Sequence, residues 1–373
     1  MQKVIIIGPA WPLRGGLASF NERLAREFQQ MEFDTELFTF TLQYPDFLFP
    51  GTTQYSSEPA PADLRIRRCI NSINPLNWIK VGRTLRQMAP DLIVVRYWLP
   101  FMAPCLGTIL RIVRGNKKTR IVCIADNIIP HEKRPGDTQF TRYFVQYIDG
   151  FITMSDRVMQ QLRDFSQRPA EMVVHPLYDH FGTILPKSAA RQYLQLPEQE
   201  KIILFFGFIR PYKGLDLLLE AMATPEVRAA GIRLLVAGEF YEDAAPYHAI
   251  IEREQLHNSV YLRTAFIADS EVKYYLSAAD FVIQPYRQAT QSGVTPLAYH
   301  FEKPMLVTNV GGLPDRVLQE KTGLITEPTV PALAKGILEL YHWGEAHFIP
   351  YIQEEKKQYS WEKLVHAILR VGK

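Results

Sequence analysis

The sequence predicts an α/β protein built from two doubly wound domains in series, and three observations carry that prediction. Short apolar runs alternate with helix-length amphipathic segments along most of the 373 residues, the pattern of parallel strands covered by helices on both faces. The alternation stops at the turn-rich stretch HPLYDHFG and then restarts, which places a linker near Gly182–Pro186. Each half also opens on an apolar run that ends in glycine and passes through a glycine-bearing loop into a helix.

The expected domains are therefore 1–182 and 183–355, with a final helix over about 356–373 packing back across the first. A length of 373 residues agrees with two cores of roughly 150 residues each. In the first half the expected strands are Val4–Gly8, Thr35–Phe40, Leu92–Arg96, Ile121–Asp126, Gly150–Met154 and Met172–His175. The helix after the first strand places Leu17, Phe20, Leu24 and Phe28 along one face. In the second half they are Ile202–Gly207, Arg233–Gly238, Val260–Arg263, Phe281–Gln284 and Met305–Thr308. Trp361, Leu364, Val365, Ile368 and Leu369 recur at helical spacing near the end. Two such domains predict a cleft lined by the carboxyl ends of strands from both.

Composition narrows the class. Hydrophobic residues at 47% and charged residues at 22% are those of an ordinary globular chain. The three cysteines, Cys69, Cys105 and Cys123, have no paired or metal-like spacing, so a reducing cytosol is the expected compartment. MQKVIIIGPAWP is too short in apolar residues for a signal-peptide core, and Trp98–Val113 is broken by Pro100, Pro104 and Arg111. The net charge is only +3, yet Arg65–Arg120 carries twelve Lys/Arg against the single acid Asp91. That band is either a solvated face or a contact for an anionic partner.

The chemistry begins in KIILFFGFIRPYKGLDLLLEAM, residues 201–222. An apolar strand stops at Gly207, a loop brings Arg210 and Lys213, and a helix starts after Gly214 with Leu215, Leu218, Leu219 and Met222 on one face. Two cations beside the unpaired N–H groups of a helix start suit a doubly charged phosphate. The first strand runs into GPAWPLRGGLASF, where Gly15 and Gly16 let backbone come close to a ligand. This loop is not G-x-G-x-x-G and no acid follows the second strand, so a dehydrogenase nucleotide loop fits poorly.

Taken in order, Gly15-Gly16, the strand–loop–Lys213-Gly214–helix unit, LLVAGE ending in Gly238 and Glu239, SAADFVIQP and Gly311-Gly312 resemble a GT-B glycosyltransferase, specifically glycosyltransferase family 4. The resemblance is fullest over about Phe205–Thr326. It implies two Rossmann-like domains and retaining transfer of a sugar from a nucleotide diphosphate sugar held mainly by the second domain. It also implies that no metal or other cofactor is required. By it, Arg210 and Lys213 act on the leaving diphosphate, with Gly15, Gly16, Gly214, Glu239, Thr290, Gln291, Ser292 and Gly293 binding donor. Asp126, at the end of a buried strand, would orient the acceptor hydroxyl or take its proton, with Asn127 and His131 beside the acceptor.

The chain departs from the family pattern at two places. Where the family usually has an arginine directly after the strand-ending glycine stands Phe208, leaving Arg210 as the nearest substitute. Where it commonly has two glutamates eight positions apart, this chain has Thr290 and Ala298. The first reading is thus a divergent transferase; a catalytically silent sugar-nucleotide binder on the same scaffold is the alternative, and an epimerase of related fold a weaker one. The expected acceptor is a glycan or lipid-linked acceptor, with polysaccharide biosynthesis as the expected setting. The aromatic run Tyr44–Gly51 and the basic band would suit a protein peripheral on the inner face of an anionic membrane. No nucleic-acid motif is present, and the aromatics are not interleaved with the cations.

Overall fold

The computed structural model describes residues 2–45, 53–129, 135–289 and 292–372. His131, Thr290, Gln291 and most of Tyr44–Gly51 therefore lie outside the described residues. The chain forms two compact units, one of residues 2–176 with 360–372 and one of 177–359.

The first unit holds seven strands: β1 Lys3–Ile7, β2 Asp34–Leu42, β3 Ile66–Asn71, β4 Leu92–Tyr97, β5 Arg120–Ala125, β6 Gly150–Thr153 and β7 Ala170–Met172. They pair in the order β3-β2-β1-β4-β5-β6-β7, all parallel. β1 can lie inside the sheet because Val4–Ile7 has no polar side chain and can be covered on both faces. Its neighbours β2 and β4 lead away in opposite directions, so the carboxyl end of β1 is a topological switch point. The core is aliphatic and dense, with Ile5, Ile7, Ile93, Val95, Ile109 and Ile121 fully buried. Each contributes roughly 1.5–3 kcal/mol by leaving water.

The second unit holds β8 Lys201–Phe206, β9 Ile232–Ala237, β10 Val260–Arg263, β11 Phe281–Gln284, β12 Met305–Thr308 and β13 Gly323–Thr326. Its sheet runs β10-β9-β8-β11-β12-β13, again parallel, with the order reversing between β8 and β11. Two strands were missing from the sequence expectation, β3 and β13, and both are sheet edges. Edge strands need only one buried face: Arg67 and Arg68 in β3 are exposed, and β13 has four residues. β7 also starts earlier than expected, at Ala170 rather than Met172.

The boundary falls between Pro176 and Leu177, ahead of the expected 182/183. The turn-rich stretch is built into the second unit: Leu177 N donates to Tyr359 O at 3.3 Å, and the His300 ring lies 2.7 Å from Gly182 O. The last helix, Trp361–Val371, belongs to the first unit. Ser360 caps it through Lys363 N, Trp361 packs on Phe20 with ring centroids 4.8 Å apart, and Val371 lies directly over Gly150 of β6. All three cysteines are free thiols. Among the described residues no helix is long and apolar enough to cross a membrane.

Candidate functional site

In the second unit the candidate residues gather at the carboxyl ends of β8, β9 and β11, the switch point of its sheet. After β8 the chain turns at Gly207 and runs beside the end of β9. Gly207 N donates to Ala237 O at 2.9 Å, Ile209 N to Glu239 O at 2.8 Å and Tyr241 N to Ile209 O at 3.0 Å. This extended pairing fixes where Arg210 and the short turn Pro211–Lys213 begin. Gly214 then opens the helix Leu215–Met222 with φ 68°, and a Cβ there would lie 2.1 Å from Pro285 O. Only glycine lets this loop lie against the end of β11 in that conformation.

The ammonium of Lys213 reaches back over the turn. A Cβ on Gly207 would sit 3.2 Å from Lys213 Nζ, so the missing side chain is the space the ammonium occupies. Nζ lies 5.6 Å from the ring centre of the buried Tyr286, whose hydroxyl is 3.4 Å from Ser292 Oγ. The backbone N–H of Lys213 donates to Arg210 O at 2.9 Å, but no hydrogen-bond or ion-pair partner of either side chain is found among the described residues. Desolvation, and then the neighbouring Arg210 charge, bring the Lys213 pKa down from 10.5 to about 7. Two adjacent cations with no carboxylate paired to them among the described residues are an arrangement that suits an anion, and a bound anion would relieve both effects.

Arg210 is held from an unexpected side. Its guanidinium lies 5.1 Å from the ring centre of Tyr241, Tyr241 stacks on Phe208 at 4.2 Å and 28°, and Phe208 continues to Phe266 at 6.2 Å. The phenylalanine that replaces the family arginine therefore supports the ring over which Arg210 is placed. Tyr241, Tyr286 and Phe266 were not singled out from the sequence. Glycine followed by aromatics in both GFIRPY and GEFYED was the available signal.

Other candidates are placed less directly. Glu239 is buried after β9. Ser292 Oγ accepts from Val294 N at 3.1 Å in the turn that leads into the helix Val294–His300, whose N-cap is Gly293, and Gly293 stands exposed beside Tyr178. Ala298, at the second glutamate position, is fully buried within that helix and presents nothing to a ligand.

The first unit presents a different arrangement. Gly15, with φ 99°, precedes the helix Gly16–Gln30, whose first turn has no acidic residue and no side-chain cap. Asp126 stands at the end of β5 with Asn127 next to it, but both of its carboxylate oxygens accept from Arg96, Nε and Nη2 at 2.6 Å each. The pair is almost completely buried, and the guanidinium lies 3.8 Å from the ring centre of Phe20. A carboxylate so engaged is a strut between β4, β5 and the first helix rather than a base open to solvent. Arg96 went unnoticed in LIVVRY; a charge inside an otherwise apolar strand, paired with an acid ending the neighbouring strand, was the signal.

The basic band is partly neutralised, by four acids from elsewhere in the chain and by its own Asp91. Arg65, Arg67, Arg96 and Arg114 pair with Asp34, Glu36, Asp126 and Asp149, and Lys118 with Asp91.

Comparison with known proteins agrees with this architecture. Residues 14–177 match the family model described as Glycosyltransferase Family 4, and residues 200–342 that described as Glycosyl transferases group 1. D-inositol 3-phosphate glycosyltransferase of Segniliparus rotundus is 31% identical over 172 residues, 45% of this chain and 38% of that protein. An uncharacterized glycosyltransferase of Methanocaldococcus jannaschii is 23% identical over 379 residues, covering 100% of this chain and 98% of the relative. Sucrose-phosphate synthase from Thermosynechococcus elongatus superposes with a TM-score of 0.73 at 18% identity, over 100% of this chain and 98% of that one. Anabaena HepE in complex with UDP and glucose gives 0.74 at 15%, over 99% and 100%. At such identities the two structures speak for the fold.

Proposed function

Since this chain is a GT-B glycosyltransferase resembling family 4, we propose that it moves a sugar from a nucleotide diphosphate sugar to a glycan or lipid-linked acceptor with retention of anomeric configuration. The observation that carries the donor assignment is the unpartnered pair Arg210 and Lys213 at the second switch point. When the bond between the sugar C1 and the diphosphate oxygen breaks, negative charge grows on the leaving group, and cations fixed beforehand stabilise that charge most. In this reading no metal ion is required. The acceptor oxygen forms the new bond to C1, and its proton passes to a phosphate oxygen on the same face. A HepE structure in complex with UDP and glucose supports the donor class.

The test is a thermal-shift panel of nucleoside diphosphates and their sugars on wild type and Lys213→Ala, followed by donor turnover with glycan acceptors. Stabilisation by one nucleotide class, lost in Lys213→Ala, is the expected outcome. Absence of any shift would refute the donor site. Binding without turnover would favour the silent relative, for which the buried Ala298 at a glutamate position speaks.

We also propose that the enzyme works at an anionic membrane surface on the cytoplasmic side. On the helix Pro75–Met88, Leu76, Lys80 and Arg83 share one exposed face, with the exposed Ile73 just before it. Cations framing exposed aliphatic side chains suit a headgroup layer. Sedimentation with anionic liposomes at low salt, lost in Lys80→Glu/Arg83→Glu, is expected. If the wild type stays in the supernatant, this reading is wrong.

A further inference from the structure

The second unit also contains a cavity of about 580 Å³ that Arg210, Lys213, Ser292 and Gly293 do not line. Its wall is formed by Tyr212 and Asp216 after β8, Glu242 and Tyr247 after β9, and Arg287 and Gln288 after β11, together with two prolines. Such a volume is that of a small-molecule site.

The lining has a definite chemistry. Arg287 forms an ion pair with Asp216 and donates its backbone N–H to Tyr212 O at 2.7 Å. The Tyr247 hydroxyl donates to Glu242. The polar groups are thus oriented before any ligand arrives, which lowers the entropy cost of binding. Carboxylates outnumber the guanidinium, so a phosphate meets net repulsion, while a cation would have to displace Arg287 from Asp216. An apolar ligand would strip water from the carboxylates with no hydrogen bond in return. A neutral polyhydroxy ring meets none of these objections. Its hydroxyls donate to Asp216 and Glu242 and accept from Arg287 and Gln288, and its C–H faces lie on tyrosine and proline rings.

We propose that this cavity is a carbohydrate-binding subsite for a neutral pyranoside, separate from the diphosphate cations. Only the use made of the saccharide rests on the transferase reading; its binding does not.

The test is saturation-transfer NMR on the whole chain with maltose, cellobiose, lactose and mannobiose as probes. At least one should receive saturation at millimolar concentration, with an affinity insensitive to added sodium chloride. Tyr212→Ala, which alters a side chain at the surface, and Asp216→Asn, which keeps its shape, should each weaken binding by about tenfold. Lys213→Ala should leave it within about twofold, an effect below the worth of one hydrogen bond, while losing nucleotide binding. This last variant separates failure of the subsite from failure of the donor site. The proposal is overturned if no probe receives saturation, or if saturation persists at full strength in both Tyr212→Ala and Asp216→Asn.

Discussion

Both units place charge at the carboxyl ends of sheet strands and use it in opposite ways. At the carboxyl ends of β4 and β5, Arg96 and Asp126 neutralise each other in the interior, with two hydrogen bonds at 2.6 Å and a phenylalanine beneath. At the carboxyl end of β8, Arg210 and Lys213 stand together against aromatic rings, with no carboxylate paired to either among the described residues. A buried pair is closed: it adds rigidity to the strand ends, and breaking it exposes one charge to a low dielectric. A like-charged pair is open, held at the expense of stability until an anion binds.

The largest effect should come from breaking the closed pair. Arg96→Ala leaves the Asp126 carboxylate buried without its partner and should destabilise the first unit by about 3–5 kcal/mol, read as a lowered midpoint in urea unfolding. A paired replacement, Arg96→Met/Asp126→Leu, should recover most of that loss. If Arg96→Ala instead lost activity at unchanged stability, Asp126 would be a working carboxylate after all.

Opening the other pair should not destabilise the fold; its effect is on binding. Lys213→Ala is expected to weaken nucleotide diphosphate binding by roughly 100-fold, the worth of a charge-assisted contact, measured by calorimetry. A loss comparable in size to the Arg96→Ala destabilisation of the fold would mean that both pairs are structural.

The Lys213 pKa of about 7 gives the open pair a pH signature. A nucleotide sugar carries a diphosphate diester that keeps its charge through this range, so its affinity follows the ammonium. Affinity should fall as pH rises above about 7, at most about tenfold per unit, and Lys213→Ala should flatten the profile. An unchanged slope in that variant would assign the titration elsewhere.

Smaller still is the contribution of the aromatic support. Tyr241→Ala should weaken diphosphate binding by about fivefold, whereas Tyr241→Phe, which keeps the ring under Arg210, should stay near wild type. Equal losses in both would show that the hydroxyl, not the ring, matters.

The smallest effect is on the unliganded protein. A lysine whose folded pKa lies below its unfolded value destabilises fully below pH 7, and the penalty fades as pH rises toward 10.5. Lys213→Met should therefore raise Tm at pH 6 by on the order of a few degrees, and not at pH 11.

Local pattern determined much of this. Strands such as VIII and IILFF are apolar throughout because both faces are covered, and their spacing from the following helices is enough to specify two doubly wound units. Lys213, Arg210 and Gly214 were legible because a strand, a loop and a helix start lie within fourteen residues, Lys201 to Gly214. What tertiary structure decided is which side chains meet. Arg96 and Asp126 are 30 residues apart, and only the β4–β5 register brings them together. Phe208, Tyr241 and Phe266 follow three different strands and stack because β8, β9 and β10 lie side by side in the sheet. Backbone periodicity is set by sterics that act within a few residues. Whether a charge is closed by a partner or left open for a ligand depends on strand order and register, which no local stretch contains.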